Sequence, residues 1–593
     1  MDKRRFYGAK SRISRFSRLA EAADAASSSS SDHVDLVILP PDDGRESEEE
    51  EEVDEMDTLP SEVAGTLELH EELSDSSGSD SSSDEEAEAV SEDDAPSCSK
   101  KRKVSAKKKP KTKWIKKSES TQLDESDKSP DPLEETHPHL PDFEPFQFFK
   151  LLFTLEMISA MRNETLRYAR SKNDHSFHVT DADIMQFLGL LLISGYHTLP
   201  AEKLYWSTTP SLSAPFFAKI MSRNRFLEIK KYFHLANNDE LGDSKTAKVD
   251  PLYEALLKNC QQFGIFHKFL AIDESMVPYT GRHPIKQFIR NKPVRFGYKI
   301  WFMCSSDGYP FNFQIYKGKD LTSTKEPLGQ RVVETMASVI GAGNANKHIL
   351  YFDNFFASYG LFANLANNNL RAVGTVRANR TLNCPLSLTK KDERAAIDYH
   401  SDGKVLFTQW KDNSVVAVGT NFSSATPYNK VSRWVKGQGK IMVDQPKLIA
   451  EYNKGMGGVD ILDMHLAAYR PKITSKKWWW PLFSNALNLA VVAAFKIHQR
   501  VSPLPAAKKL THLQFRIQIA ECMAKFQCEA PRIRLGGPTA KVPDAICLDG
   551  VNHHLVSTTQ GRCIYCQKNT RMQCSKCEKR LHKSGCYALY HSK

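Results

Sequence analysis

Between Phe269 and Val376 the residues run strand, strand, strand, helix, strand, helix, strand, with Asp273 closing the first strand and Asp353 the fourth. That order predicts an α/β core of the ribonuclease H-like class. Two further observations complete the expected architecture. Helical periodicity flanks the core on both sides, over 143–265 and 469–530, and five of the 12 cysteines lie in the last 31 residues. The expected molecule is an α/β core with a β-rich insertion, flanked by a split all-α domain, preceded by a disordered tail and followed by a small zinc-binding cysteine-rich module.

The N-terminal region, 1–117, is read from charge. The chain holds 81 Lys+Arg and 71 Asp+Glu, yet its first 100 residues contain 9 bases and 29 acids. Residues 1–18 form a basic arm. Residues 19–98 carry 28 acids against Arg45 alone, interleaved with serine runs. Such a segment buries too little apolar surface to offset its ordering entropy, so disorder is expected. Lys100–Lys117 then has 11 bases in 18 residues and no acid. Its "KKRKV" has the form of a nuclear import signal, which predicts a nuclear protein that meets import receptors and outweighs a mitochondrial reading of the arm. Residues 118–142 are a Pro-rich linker. From Ser118 onward 62 bases face 42 acids, the balance of a body that meets a polyanion. The longest apolar runs, Phe187–Ile193 and Leu489–Phe495, are too short for a membrane span, so no membrane partner is expected.

The elements follow in order. "FQFFKLLFTLEMISAMRNETLRYARS", "DADIMQFLGLLLISGYH" with Asp181 or Asp183 as cap, and "FAKIMSRNRFLEIKKYFHLA" predict the helices of 143–265. "FGYKIWFMCSSDGYPFNFQIY" predicts a hairpin around Ser-Asp-Gly, "LGQRVVETMASVIG" a helix, "HILYF" a strand, "SYGLFANLANN" a helix and "RAVGTV" a strand. Residues 379–444, with "KVLFTQW" and "SVVAVGTNF", read as an insertion that divides the core into 266–378 and 445–468. "KLIAEYNKGMGGVDILDMHLAAY" reads as one helix with Asp460 and Asp463 on one face. Helices resume over 469–530, 531–549 is a linker, and 550–593 is the cysteine-rich module.

Chemistry is read at three places. Holding two divalent cations about 4 Å apart requires carboxylates converging from separate elements. Asp273, Asp353 and Asp460 supply them if the first and fourth strands are neighbours; singly, each reads equally as a turn or cap residue. The loop after Asp273 carries Arg282, Lys286, Arg290, Lys292 and Arg295 among Phe288 and Phe296, a pattern for phosphate contacts or for an ordinary basic loop. At the end of the chain, Cys563, Cys566, Cys574, Cys577, His582, Cys586 and His591, with His553 or His554 upstream, supply eight ligands. That is enough for two tetrahedral Zn²⁺ sites, or for one zinc with ligands to spare.

"AIDESMVPYTGRHPIKQFIRNKPVRFGYKIW", "YFDNFFAS", "EYNKGMGGVDILD" and "WWWPL" resemble, in order and context, the motifs of the piggyBac transposases and their domesticated relatives. The resemblance runs from about Phe143 to the C-terminus. It implies a nuclear DDD transposase in which Asp273, Asp353 and Asp460 bind two Mg²⁺, with Mn²⁺ able to substitute, and Asp463 lies close by. It also implies that the flanking helices bind DNA and dimerise, and that the cysteine-rich module is a cross-brace with two Zn²⁺. The implied substrate is double-stranded DNA: terminal inverted repeats cut through a hairpin intermediate, excised seamlessly and joined at TTAA by a homodimer. Lys476, Lys477 and Trp480 in "SKKWWWPL" are expected to contact DNA, Trp480 resembling the aromatic that meets displaced bases. The alternative is a domesticated nuclear DNA-binding protein without transposition activity.

Overall fold

The computed structural model describes residues 11–16, 34–39, 66–72, 112–119, 123, 128–289, 292–318, 326–435, 439–505, 508–527, 547–548 and 553–592. The rest of the acidic tract, the import-like run up to residue 111 and most of the 531–549 linker lie outside the described residues. Within the region expected to lack order, β1 (Ser11–Phe16), β2 (Val34–Leu39) and β3 (Thr66–Glu72) pair as an antiparallel sheet in the order β1-β3-β2. Unbroken disorder is thereby corrected at these strands, where β2 is a short aliphatic run ("VDLVIL") and β3 alternates Leu with Glu ("TLELHEE").

The helical body opens with α1 (Leu133–Thr136), α2 (Pro145–Leu152), α3 (Leu155–Ser171) and α4 (Asp181–Ile193). Thr180, not Asp181 or Asp183, caps α4: its hydroxyl accepts from the Asp183 amide, and the Asp183 carboxylate accepts from the Thr180 amide. Then come α5 (Pro215–Ile220), α6 (Arg223–Tyr232) and α7 (Asp250–Gln261). Two bases of α6 are held internally, since Arg225 pairs with Asp183 and Glu228, and Lys230 with Glu202, while Arg223 and Lys231 are exposed.

The core sheet contains β4 (Phe269–Pro278), β5 (Gln287–Phe288), β6 (Phe296–Ser305), β7 (Pro310–Ile315), β8 (Ile349–Phe352) and β9 (Arg371–Thr375). α8 (Leu328–Ala337) precedes β8 and α9 (Tyr359–Asn367) precedes β9. β4 and β8 are parallel neighbours, as are β8 and β9, while β6 and β7 add antiparallel beyond β4. The first and fourth strands of the expected run therefore touch.

The segment 379–444, read as an insertion, is in part continuous with this sheet. β10 (Ile397–Ser401), β11 (Leu406–Lys411) and β12 (Val415–Thr420) extend it through antiparallel pairing of β12 with β9. Only β13 (Tyr428–Val435) and β14 (Gly439–Pro446) form a separate ribbon. Backbone pairing across dozens of residues leaves no local mark, which is why strand spacing alone suggested a break.

The expected single helix after β14 is two, α10 (Lys447–Gly455) and α11 (Gly458–Ala468), parted at a Gly-rich turn where helix propensity is lowest. α12 (Trp480–Val501) follows, then α13 (His512–Ala524). By length and composition α12 could cross a membrane, with a mean hydropathy of 1.3, but 94% of that window is buried inside the protein, so it is the central core helix. The C-terminal module consists of β15 (Leu555–Arg562), β16 (Asn569–Cys574) and α14 (Cys586–His591).

Candidate active site and metal clusters

Asp273 does not close its strand. β4 continues to Pro278 because β6 pairs with it along its whole length, whereas β8 ends beside Ile272. Since Ile272 is in register with Phe352, Asp273 and Asp353 fall at adjacent positions just past the end of the parallel pairing. α11 brings Asp460 and Asp463 to the same place. Its approach depends on Gly458, where a Cβ would lie 2.3 Å from the Ser305 carbonyl oxygen and 3.2 Å from Ala271 Cβ. Gly308 in the hairpin turn, at φ +94, packs under the same helix. Alternation along β4 points Ala271, Asp273 and Ser275 to one face, and on that face Ser275 Oγ donates to Asp463 Oδ1 at 2.5 Å.

Asp273, Asp353 and Asp463 are partly desolvated, while Asp460, in the first turn of α11, is exposed. Burial pushes Asp273 well above the usual carboxylate range, with Glu274 and Asp353 adding to the effect and Lys292 opposing it. Burial also raises Asp353. Asp463 is carried up to about 6 by burial, against the Ser275 hydrogen bond. Glu274, which sequence reasoning passed over, holds Lys292 at 3.2 Å and Lys299 at 4.0 Å. Lys292 is itself raised: burial disfavours its charge, but Asp273 and Glu274 outweigh that. Arg377 and Arg380 were also missed. Arg380 donates to the Phe355 carbonyl at 2.6 Å and Arg377 to Asn354 Oδ1 at 3.2 Å, bracing the turn after Asp353. Two arginines immediately after the last core strand were the available signal. The donor set is all carboxylate oxygen and its buried charge is only partly offset by lysine, which fits hard divalent cations.

The residues expected to touch DNA divide. Arg282 and Arg295 are exposed, Arg290 lies outside the described residues, and Phe288 and Phe296 pack on each other at 4.8 Å on an exposed hairpin. Lys286 is partly buried and donates to the Gly281 carbonyl at 2.9 Å. Lys476 is exposed. Lys477 is engaged elsewhere: its ammonium donates to the carbonyls of Lys230, Lys231 and Phe233 and so caps the end of α6.

Trp480 is also corrected. It is 2% exposed, its Nε1 donates to the Ile473 carbonyl at 3.0 Å, and Phe187, Phe233 and Phe483 surround it. As the first residue of α12 it turns into the core with Trp479. Trp478 is the partly exposed member of the trio and stacks on His283 at 4.0 Å.

In the C-terminal module the eight residues assemble as two clusters, Cys563, Cys566, His582 and Cys586 in one and His553, Cys574, Cys577 and His591 in the other. Within each, the ligand atoms lie within 4.8 Å of one another. The clusters alternate along the chain, which is the cross-brace order. His554 is exposed and takes no part; its amide donates to Ser575 Oγ. Two histidine tautomers are fixed by backbone carbonyls. His582 Nε2 donates to Asn569 O at 3.0 Å, leaving Nδ1 for the cluster, and His591 Nδ1 donates to Cys547 O at 2.7 Å, leaving Nε2 buried without a partner. Burial alone would raise the Cys563 thiol, but backbone N–H groups of Cys566 and Tyr565 bring it down to about 6. Oriented imidazoles, an orphaned ring nitrogen and a depressed thiol fit a zinc-type ion.

The structure thus sets a mixed sheet, with carboxylates converging from two strands and a helix, beside a helical body. A family profile described as "Transposase IS4" matches residues 144–495. The chain is 33% identical over 457 residues to the human PiggyBac transposable element-derived protein 3, covering 76% of each chain. It is 31% identical over 470 residues to the human PiggyBac transposable element-derived protein 2, covering 77% of this chain and 78% of that one. Its fold is similar to that of the piggyBac transposase solved by cryo-EM as a synaptic complex with hairpin DNA, with a TM-score of 0.59 and 21% identity over 77% of this chain and 97% of the other. The chain belongs to the piggyBac family.

Proposed function

We propose that the chain is a piggyBac-type cut-and-paste DNA transposase acting in the nucleus. The observation that carries the reading is the convergence of Asp273, Asp353, Asp460 and Asp463 from β4, the end of β8 and α11. Two Mg²⁺, or Mn²⁺ in their place, would be held by Asp273, Asp353 and Asp460, with Asp463 beside them. When bound, these ions supply charge stabilisation at phosphorus and an acidified water. The protein's own part is positional. Adjacent backbone registers fix two of the carboxylates, Ser275 fixes Asp463, and Lys292 and Lys299 offset surplus negative charge around Glu274. Arg377 and Arg380 hold the turn after Asp353 and bring positive charge to the mouth of the site.

Water or a 3′-hydroxyl attacks phosphorus in line, so no protein nucleophile is needed. One such step nicks at the transposon end; a second makes a hairpin. Later steps open the hairpin and join the ends at TTAA. Trp478 would be the aromatic that meets an unpaired base, a role supported by its partial exposure beside His283. The helical body serves a homodimer on double-stranded DNA, Zn²⁺ fills both C-terminal clusters, and the Lys100–Lys117 run meets import receptors.

The test is to incubate the purified chain with Mg²⁺ and DNA bearing its candidate terminal repeats, beside Asp353→Asn. Nicked and hairpin products from the parent and none from the variant are expected; equal behaviour of the two refutes catalysis. A second reading, a domesticated DNA-binding protein, is favoured by the two human relatives, whose names mark them as element-derived. It predicts DNA binding with no cleavage by either protein.

A further inference from the structure

We propose that Cys547 is a reserve ligand of the second C-terminal metal cluster, able to replace His591 at the ion. The proposal rests on the zinc reading of that cluster. Cys547 is 5% exposed, and its thiol lies 3.5 Å from His591 Nδ1 and 3.4 Å from the Tyr590 carbonyl. The same thiol packs in one buried cluster with Cys577, one of the four grouped residues. It thus lies beside two members of the set while standing just outside it.

Its backbone has a separate part, because the Cys547 carbonyl accepts from His591 Nδ1 and so turns the unpartnered Nε2 toward the cluster. One residue therefore both orients the fourth ligand and carries a thiol behind it. A buried thiol in this module also packs as a small hydrophobe beside Cys574, Cys577 and Leu581, but that reading gives no reason for its place 3.5 Å from the His591 ring nitrogen. When His591 leaves, the corner it vacates borders the Cys547 thiol, which loses its proton to solvent as it binds. The cluster changes from two thiolates and two imidazoles to three thiolates and one imidazole, both combinations that zinc accepts.

Cobalt(II) reports this exchange, because its thiolate charge-transfer absorption grows with the number of bound thiolates. The full chain loaded with Co²⁺ should hold two ions and show the intensity of five thiolates. His591→Ala should keep both ions and rise to the intensity of six. Cys547→Ser alone should keep both ions at five, and the double variant His591→Ala/Cys547→Ser should lose one ion. Loss of an ion from His591→Ala alone, or both ions retained there without the rise, overturns the proposal. Fewer than two ions in the parent chain instead sinks the two-zinc reading, so the two failures are distinguishable.

Discussion

Gly458→Ala tests whether the fit of α11 against the sheet sets the active geometry. The added Cβ would sit 2.3 Å from the Ser305 carbonyl oxygen, about 1 Å short of the 3.4 Å at which ordinary contact begins. Ser305 cannot give way easily. It lies in the β4–β6 ladder opposite Leu270, and its carbonyl accepts from Gly308 N at 2.9 Å. The helix must therefore retreat by about 1 Å, carrying Asp460 and Asp463 away from Asp273. A displacement of that size at a catalytic constellation costs about 10²-fold in rate. Stability changes less, since overpacking costs about 1–3 kcal/mol while the Gly-to-Ala helix preference returns about 1 kcal/mol, so Tm should fall by only a few degrees. Gly457→Ala is the internal control, because nothing lies within 4 Å of a Cβ there. Mg²⁺-dependent nicking of end DNA and thermal melting are measured on both variants. If Gly458→Ala matches Gly457→Ala in rate and Tm, the close-approach argument is wrong.

Four further outcomes are expected. His234 is held neutral by burial, then by Lys477, with its pKa lowered to about 3. Its stabilising contribution is therefore present above about pH 6.5 and lost as pH falls towards 3, worth roughly 3 kcal/mol by pH 4; melts from pH 7 to 4 should steepen less in His234→Gln, and an unchanged slope contradicts the assignment. Trp480→Ala should cost about 3–5 kcal/mol of stability, whereas Trp478→Ala should leave Tm nearly intact and weaken binding to hairpin or gapped DNA by about 1–3 kcal/mol; the reverse pattern restores Trp480 as the base contact. Chelation should expose β15 and β16 to protease while leaving the helical body resistant, since metal supplies most of the folding energy of so small a module; protection that survives chelation argues against structural zinc. Mg²⁺ should raise the Tm of the parent chain but raise that of Asp353→Asn less, and equal shifts would place the ion elsewhere.

Much of the site was legible because its marks are local. Short apolar strands ending near Asp273 and Asp353 located two carboxylates, and the Cys-x2-Cys pairs located the ligand-rich module, whose division into two interleaved clusters came with the family resemblance and not from spacing. What escaped the sequence depends on contacts between distant segments. Lys477 caps a helix 244–247 residues upstream, a partnership no spacing rule carries. Trp480 and Trp478 differ only in which side of the α12 start they occupy, so the buried and the exposed ring could not be told apart beforehand. Glu274 was not read at all: alternation places it on the opposite strand face from Asp273, and only its ion pairs with Lys292 and Lys299 connect it to the carboxylate cluster. The sheet continuing through β10, β11 and β12 is likewise a matter of pairing at long range.

The two functional readings differ in what they ask of the buried carboxylates. A protein that only binds DNA gains nothing from desolvating acids in an otherwise basic body. A carboxyl carried from 3.8 to about 6, as Asp463 is, has given up roughly 3 kcal/mol in its ionised form at neutral pH. Asp273 and Asp353 are raised by burial as well. Lys292, Lys299 and Arg470 relieve part of this, yet Asp273, Asp353 and Asp463 all stay raised in their presence. Asparagine or serine at these positions would keep the fold and remove the cost. The arrangement makes physical sense when cations of higher charge occupy the site during part of the working cycle, which favours the enzyme over the domesticated binder.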